Sequence, residues 1–218
     1  MIQLRQPYVL FLGDAPDQLA AKTADGIARW RPDLCVGQLR LPDCKADIGL
    51  PDMTLEKARA AGAQTLIAGV ANRGGIVSEA WRDTLLQAVA LGFDIASGLH
   101  GRLSAIPGLE ERALKQGTQL HDVRYSDQHF PIASGAKRSG KRLLTVGTDC
   151  SVGKMFTALA IEREMQTRGV KATFRASGQT GIFIAGEGLC VDAIISDFIA
   201  GAAEVLSPNN DADHWDLV

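Results

Sequence analysis

The chain has 218 residues, 46% of them hydrophobic and 22% charged, which supplies a buried core and argues against disorder. Its 23 Lys plus Arg nearly balance 25 Asp plus Glu, leaving a formal charge of −2; no bulk field draws it to nucleic acid or an anionic membrane, so any anion recognition is local. No stretch offers the roughly 20 apolar residues of a membrane span and the amino end lacks a secretory core, so a cytoplasmic protein is expected.

In chain order, short apolar runs alternate with Ala-rich amphipathic stretches, which predicts strands alternating with helices and parallel sheets. The first strand is Tyr8 to Gly13, followed by a helix from Asp17 to Trp30 with Asp14 as its cap. Thr54 caps a helix over Leu55 to Ala61, stopped at Gly62 before the strand Thr65 to Ala71. Ser78 to Leu91 reads as a helix ended by Gly92, and Asp94 to Leu99 as the next strand. Pro107 to Gln116 is a further helix and Gln119 to Tyr125 a last strand.

Between Ser126 and Lys141 the periodicity fails in a Ser-, Gly-, Pro- and Lys-rich run. This divides the chain into an α/β domain over 1–127, a linker over 128–141 and a second α/β domain over 142–218. The second domain opens with the strand Arg142 to Val146 and the helix Lys154 to Arg168, followed by the strand Lys171 to Ala176. A helix-like stretch from Asp192 to Leu206 leads to Trp215–Val218, which reads as a strand at the edge of an incomplete domain.

Four cysteines, Cys35, Cys44, Cys150 and Cys190, form no CxxC pair, and the four histidines form no HxxxH or HExxH pattern. No metal site is expected, and reduced thiols suit the cytosol.

The strongest chemical signal is RLLTVGTDCSVGKM, Arg142 to Met155. A glycine-bearing loop between a strand and a helix start lets successive backbone N–H groups point into one concavity, where the helix N-terminus adds positive potential. The predicted phosphate-binding residues are Gly147, Thr148, Asp149, Cys150, Ser151, Val152, Gly153, Lys154 and Met155, with the Lys154 ammonium lying over the phosphates. The spacing is one residue longer than G-x4-G-K-[ST] and resembles the P-loop of dethiobiotin synthetase and its relatives. Met155 stands where that pattern has a hydroxyl for Mg²⁺, and a thioether does not replace a hard oxygen ligand. Thr157 lies too far along the helix to substitute. The loop is therefore expected to hold a phosphorylated cofactor rather than to drive metal-dependent cleavage.

The loop GTDCSVGKM does not stand alone. Together with FRASGQTGIFIAG (174–186), VDAIISDFIAGAAE (191–204), GLPDMT (49–54), ANRGG (71–75) and SGLH (97–100), it resembles the bacterial D-glutamate N-acetyltransferase family over nearly the whole chain. The resemblance implies a Rossmann-like parallel-sheet domain followed by a P-loop NTPase-like α/β domain, which in the family continues past WDLV into an acidic Gly-rich motif. It implies acetyl-CoA as co-substrate and D-glutamate as acceptor, in D-amino acid catabolism. An acceptor with two carboxylates calls for arginine in planar, bidentate geometry; Arg73, Arg102 and Arg175, with Gln179 and Thr180, are the substrate-binding candidates. Acyl transfer to an amine needs a base and donors for the developing oxyanion. Asp149 and His100 are the base candidates, and N–H groups of a turn over Gly178 to Gly181 the donors. Cys150 as an acetyl-carrying nucleophile is a weaker option, with no histidine marked beside it.

Partners are expected to be a small-molecule amino acid and further copies of the chain, not nucleic acid or membrane. Two alternatives share the loop: an ATP- and Mg-dependent ligase or carboxylase of the dethiobiotin synthetase type, and a non-catalytic module binding ATP or another nucleotide. A nicotinamide enzyme is disfavoured, because the turn after the first strand carries Gly13 alone rather than G-x-G-x-x-G.

Overall fold

A computed structural model of the chain describes residues 4–71, 75–125, 129–149 and 152–218. The chain separates into two compact units between Arg124 and Tyr125, each built on its own parallel sheet.

The amino-terminal unit contains β1 (Tyr8–Gly13), β2 (Cys35–Arg40), β3 (Thr65–Ala68), β4 (Asp94–Ser97) and β5 (Leu120–Asp122), ordered β2-β1-β3-β4-β5 with every pair parallel. The first four helices, α1 (Lys22–Trp30), α2 (Leu55–Ala60), α3 (Glu79–Ala90) and α4 (Leu109–Gln116), make the connections between and beside these strands. β1, β3 and β4 are buried along their whole length, as strands covered on both faces by helices must be. The cap predicted at Thr54 is present, accepting from the Lys57 N–H, and Ser78, at the expected helix start, caps α3 by accepting from the Trp81 N–H.

One prediction fails here and one strand goes unannounced in the sequence, both for tertiary reasons. α1 starts at Lys22, not Asp17; Asp17 instead closes a turn by accepting from the Ala20 N–H at 2.8 Å, and Asp14 accepts from the Trp81 indole N–H at 2.7 Å rather than capping a helix. The helix is fixed by its approach to the sheet, since the Ala24 N–H donates to the Gly69 carbonyl at 3.0 Å and a Cβ on Gly69 would lie 2.4 Å from that of Ala24. β2 carries no clear strand signal in the sequence because Gln38 and Arg40 interrupt its apolar run. Gln38 is nonetheless buried: its amide donates to Asp47 and Asp52 and accepts from the Ile48 N–H, so the 41–53 loop satisfies every polar end of the side chain.

The carboxyl-terminal unit contains β6 (Lys141–Leu143), α5 (Lys154–Thr167), β7 (Ala172–Phe174), α6 (Gln179–Ala185), α7 (Ile199–Leu206) and β8 (Trp215–Leu217). Its sheet is ordered β6-β8-β7, again all parallel. The last strand, expected at an edge, is the central one: the chain returns between two earlier strands, so WDL is flanked on both sides. The stretch expected as one helix over 192–206 is two 3₁₀ turns, Val191–Ala193 and Ser196–Phe198, before α7.

Residues 129–140 carry no helix or strand, yet they are fastened to α7. The Glu204 carboxylate accepts from the N–H and hydroxyl of Ser134 and the N–H of Gly135 at 2.9–3.0 Å, which holds its pKa below the usual range. Arg138 donates to the carbonyls of Ala203, Glu204 and Ser207 at the end of the same helix. Gly201 is required, because a Cβ there would overlap the Pro131 carbonyl.

Candidate phosphate-binding loop and adjoining arginine

β6 delivers the chain to the loop: its ladder continues through Thr145, whose N–H donates to Val218, and Val218 in turn donates to Leu143. The loop then curls. A Cβ on Gly147 would come within 2.7 Å of Val152 and 3.2–3.3 Å of the Lys154 stem, so the lysine lies back across the glycine. Gly153 turns the chain into α5 with φ +102°, a conformation that glycine adopts without strain. Gly147, Thr148, Asp149 and Val152 are exposed, whereas Gly153, Lys154 and Met155 are half-buried at the start of the helix. The Lys154 ammonium donates to the Asp149 carbonyl, bridging the two ends of the loop. The Thr157 hydroxyl donates to the Gly153 carbonyl at 3.0 Å and is thus tied to its own helix. Cys150 and Ser151 lie outside the described residues.

Because β6, β7 and β8 are parallel, the segment after β7 emerges at the same edge of the sheet as this loop, the edge where α/β proteins gather ligands. Arg175 is the first residue after β7, with its N–H on the Leu217 carbonyl at 2.7 Å. Its Nε donates to Asp216 Oδ1 at 2.9 Å and its Nη1 lies 3.7 Å from Glu187 Oε1. The expected turn over Gly178 to Gly181 is the start of α6, with Gly178 as N-cap. Gly181 sits in the first helical turn because α6 presses on the strand: a Cβ would lie 3.1–3.2 Å from Ala176 and the Phe174 ring. Gln179 and Thr180 are half-buried there, and Gln179 Oε1 lies 3.7 Å from Cys190 Sγ.

His100 and Arg102 belong to the other unit, beyond the carboxyl end of β4, both exposed. Arg102 lies near Asp122, whose pKa is raised by burial and only partly restored by the Leu103 N–H and the Arg102 charge. Arg73 lies outside the described residues. The structure thus brings the loop residues and the Arg175–Thr180 segment to one sheet edge within one unit, and leaves His100 and Arg102 in the other.

What sequence reasoning missed is the support beneath Arg175. Asp216, in the middle of β8 and 1% exposed, receives Arg175, the Ser207 hydroxyl at 2.6 Å and the Asn210 amide at 3.0 Å. Ser207 in turn accepts from Arg142 Nε at 2.8 Å. A chain of charge-assisted bonds therefore runs from the loop strand β6 through Ser207 and Asp216 to Arg175. The signal available was the aspartate inside the hydrophobic run WDLV, which had to find a cation once buried. Among the described residues no cluster of three or more metal-ligating side chains occurs, and no helix is long and apolar enough to cross a membrane.

A parallel Rossmann-like unit followed by a unit with a curled strand–loop–helix and an invading lysine defines a P-loop α/β protein of two domains. Residues 40–126 match the Rossmann-like domain of unknown function DUF1611_N, and residues 131–218 match the DUF1611_C P-loop domain. The chain belongs to the DUF1611 family. It is 60% identical over 215 residues to a D-glutamate N-acetyltransferase of Tritonibacter scottomollicae and 44% identical over 217 residues to one of a Pseudoalteromonas species. These alignments cover 99% and 100% of this chain but 65% of each relative. The crystal structure of a DUF1611 family protein from Anabaena variabilis superposes with a TM-score of 0.83 at 29% identity, over 98% of this chain and 65% of that one.

Proposed function

We propose that the protein transfers the acetyl group of acetyl-CoA to the amino group of D-glutamate, with the 147–155 loop clasping the phosphates of CoA. The observation that supports this reading is the pairing of the loop with Met155: Gly147 leaves room for the Lys154 stem, Gly153 turns the chain into α5 and the Lys154 ammonium lies across the loop, while the position of the metal-binding hydroxyl holds a thioether. Such a loop binds a phosphorylated group without an evident means of splitting it. The names of the two curated relatives supply the acceptor and the acyl group.

In this reaction the unprotonated amine attacks the thioester carbonyl carbon. Charge gathers on the carbonyl oxygen in the tetrahedral intermediate, the C–S bond breaks, and CoA leaves as the thiolate. Asp149, on the loop itself, and His100 are the candidates to take the amine proton. Arg175 is the candidate to receive an acceptor carboxylate, since it stands at the sheet edge that presents the loop, with Gln179 and Thr180 in the first turn of α6 as its companions in that unit.

The direct test mixes the whole protein with acetyl-CoA and a panel of D- and L-amino acids and follows thiol release. Release with D-glutamate and little with the L-enantiomer is the expected result. A thermal shift that requires Mg-ATP, with no response to CoA, would instead support the ligase reading, and CoA binding without turnover on any amino acid would support a binding module.

A further inference from the structure

Arg175 is flanked by two carboxylates of very different character. Asp216 is buried, shares its oxygens with Ser207 and Asn210, and takes the guanidinium through Nε at 2.9 Å. Glu187 has a side chain 45% exposed and stands 3.7 Å from Nη1, beyond hydrogen-bond distance. It lies between Gly186 (φ +80°) and Gly188 (φ +145°). Gly188 brings the backbone so close to the turn after β7 that a Cβ would lie 2.5 Å from the Ala176 carbonyl, and Leu189 and Val191 then donate to Ala176 and Ser177. The segment carrying Glu187 is therefore anchored just beyond it, against the turn that carries Arg175, while the carboxylate itself reaches solvent.

We infer that Asp216 is a positioning residue that fixes the Arg175 guanidinium through Nε, and that Glu187 is an exchangeable counter-ion competing with the acceptor's carboxylate for the Nη edge. The physical basis is the difference in hold. A carboxylate that is buried and multiply hydrogen-bonded is costly to separate from its arginine, whereas a half-exposed ion pair at 3.7 Å is weak and yields to a carboxylate that makes two parallel N–H···O bonds. The two acids thus act on one arginine with opposite sign, Asp216 promoting acceptor binding and Glu187 opposing it.

This inference rests on the proposed role of Arg175, and the test separates the two. D-glutamate binding to the whole protein with CoA present is measured by calorimetry, alongside KM and kcat, for Arg175→Ala, Asp216→Asn and Glu187→Gln. Glu187→Gln is expected to tighten D-glutamate binding by about threefold to fivefold, and Asp216→Asn to weaken it by about tenfold, with CoA affinity and kcat little changed in both. If Arg175→Ala leaves D-glutamate affinity intact, the assignment of Arg175 to the acceptor fails and the inference with it. If Arg175→Ala weakens binding but Glu187→Gln leaves it unchanged or weaker, the inference alone is overturned. Should Asp216→Asn not fold, Glu187→Gln, at a half-exposed position, decides the matter by itself.

Discussion

The two units use the same device, a parallel strand running into a helix through a glycine turn, and finish it in opposite ways. In the amino-terminal unit the strand order reverses between β1 and β3, the place where open α/β sheets take ligands. There a Cβ on Gly13 would lie 2.6 Å from the Trp81 indole, whose N–H is bound to Asp14 and whose ring meets Phe11 edge-on at 5.6 Å. The glycine admits a side chain of the protein itself. In the carboxyl-terminal unit Gly147 admits the Val152 side chain and the stem of Lys154, both from its own loop, and Gly147, Thr148, Asp149 and Val152 stay exposed. A glycine turn after a strand is thus not a ligand site until one knows what fills the space it leaves.

The largest test of this contrast is Trp81→Ala. Removing a buried indole is expected to cost about 3–5 kcal/mol in chemical denaturation, and a variant as stable as the parent would show that the first turn is not sealed in this way. Next in size, Lys154→Ala is expected to lower CoA affinity by about 1.5–3 kcal/mol by calorimetry with little change in melting temperature, because among the described residues the ammonium bonds to a carbonyl of its own exposed loop. A large loss of stability with no loss of affinity would make Lys154 a structural clasp. Met155→Ser is expected to give a smaller gain, a detectable Mg-dependent response to ATP in thermal shift; no gain would remove the explanation offered for Met155.

The smallest effect concerns pH and belongs to the sealed unit. His121 is half-buried beside Asp94, with its buried Nε2 4.0 Å from that carboxylate and without a hydrogen-bond partner. Burial holds its pKa below the ordinary value, outweighing the pull of Asp94. Folding thus favours neutral His121, so its contribution is present above the unfolded value near 6.5 and is lost as pH falls through the lower folded value. Denaturation measured between pH 7 and 5 is expected to show declining stability, and His121→Leu a flatter profile; an unchanged slope would assign the decline to other groups.

Much of this was legible without coordinates where local chemistry suffices. The alternation of apolar runs with amphipathic helices marks parallel α/β units, Thr54 and Ser78 announce helix starts, and the glycines and lysine of 147–154 mark a P-loop domain, because each depends on neighbours within a few residues. β2 was missed, and the start of α1 misplaced, because their polar groups are satisfied by residues from distant loops and strands. The same holds at the site. Arg175 was visible as a cation near a strand end, but that it is gripped by Asp216 and shadowed by Glu187 follows only once the last strand inserts between two earlier ones. Covalent order specifies which groups the chain carries; burial and long-range pairing decide which of them are spent on the fold and which are presented for chemistry.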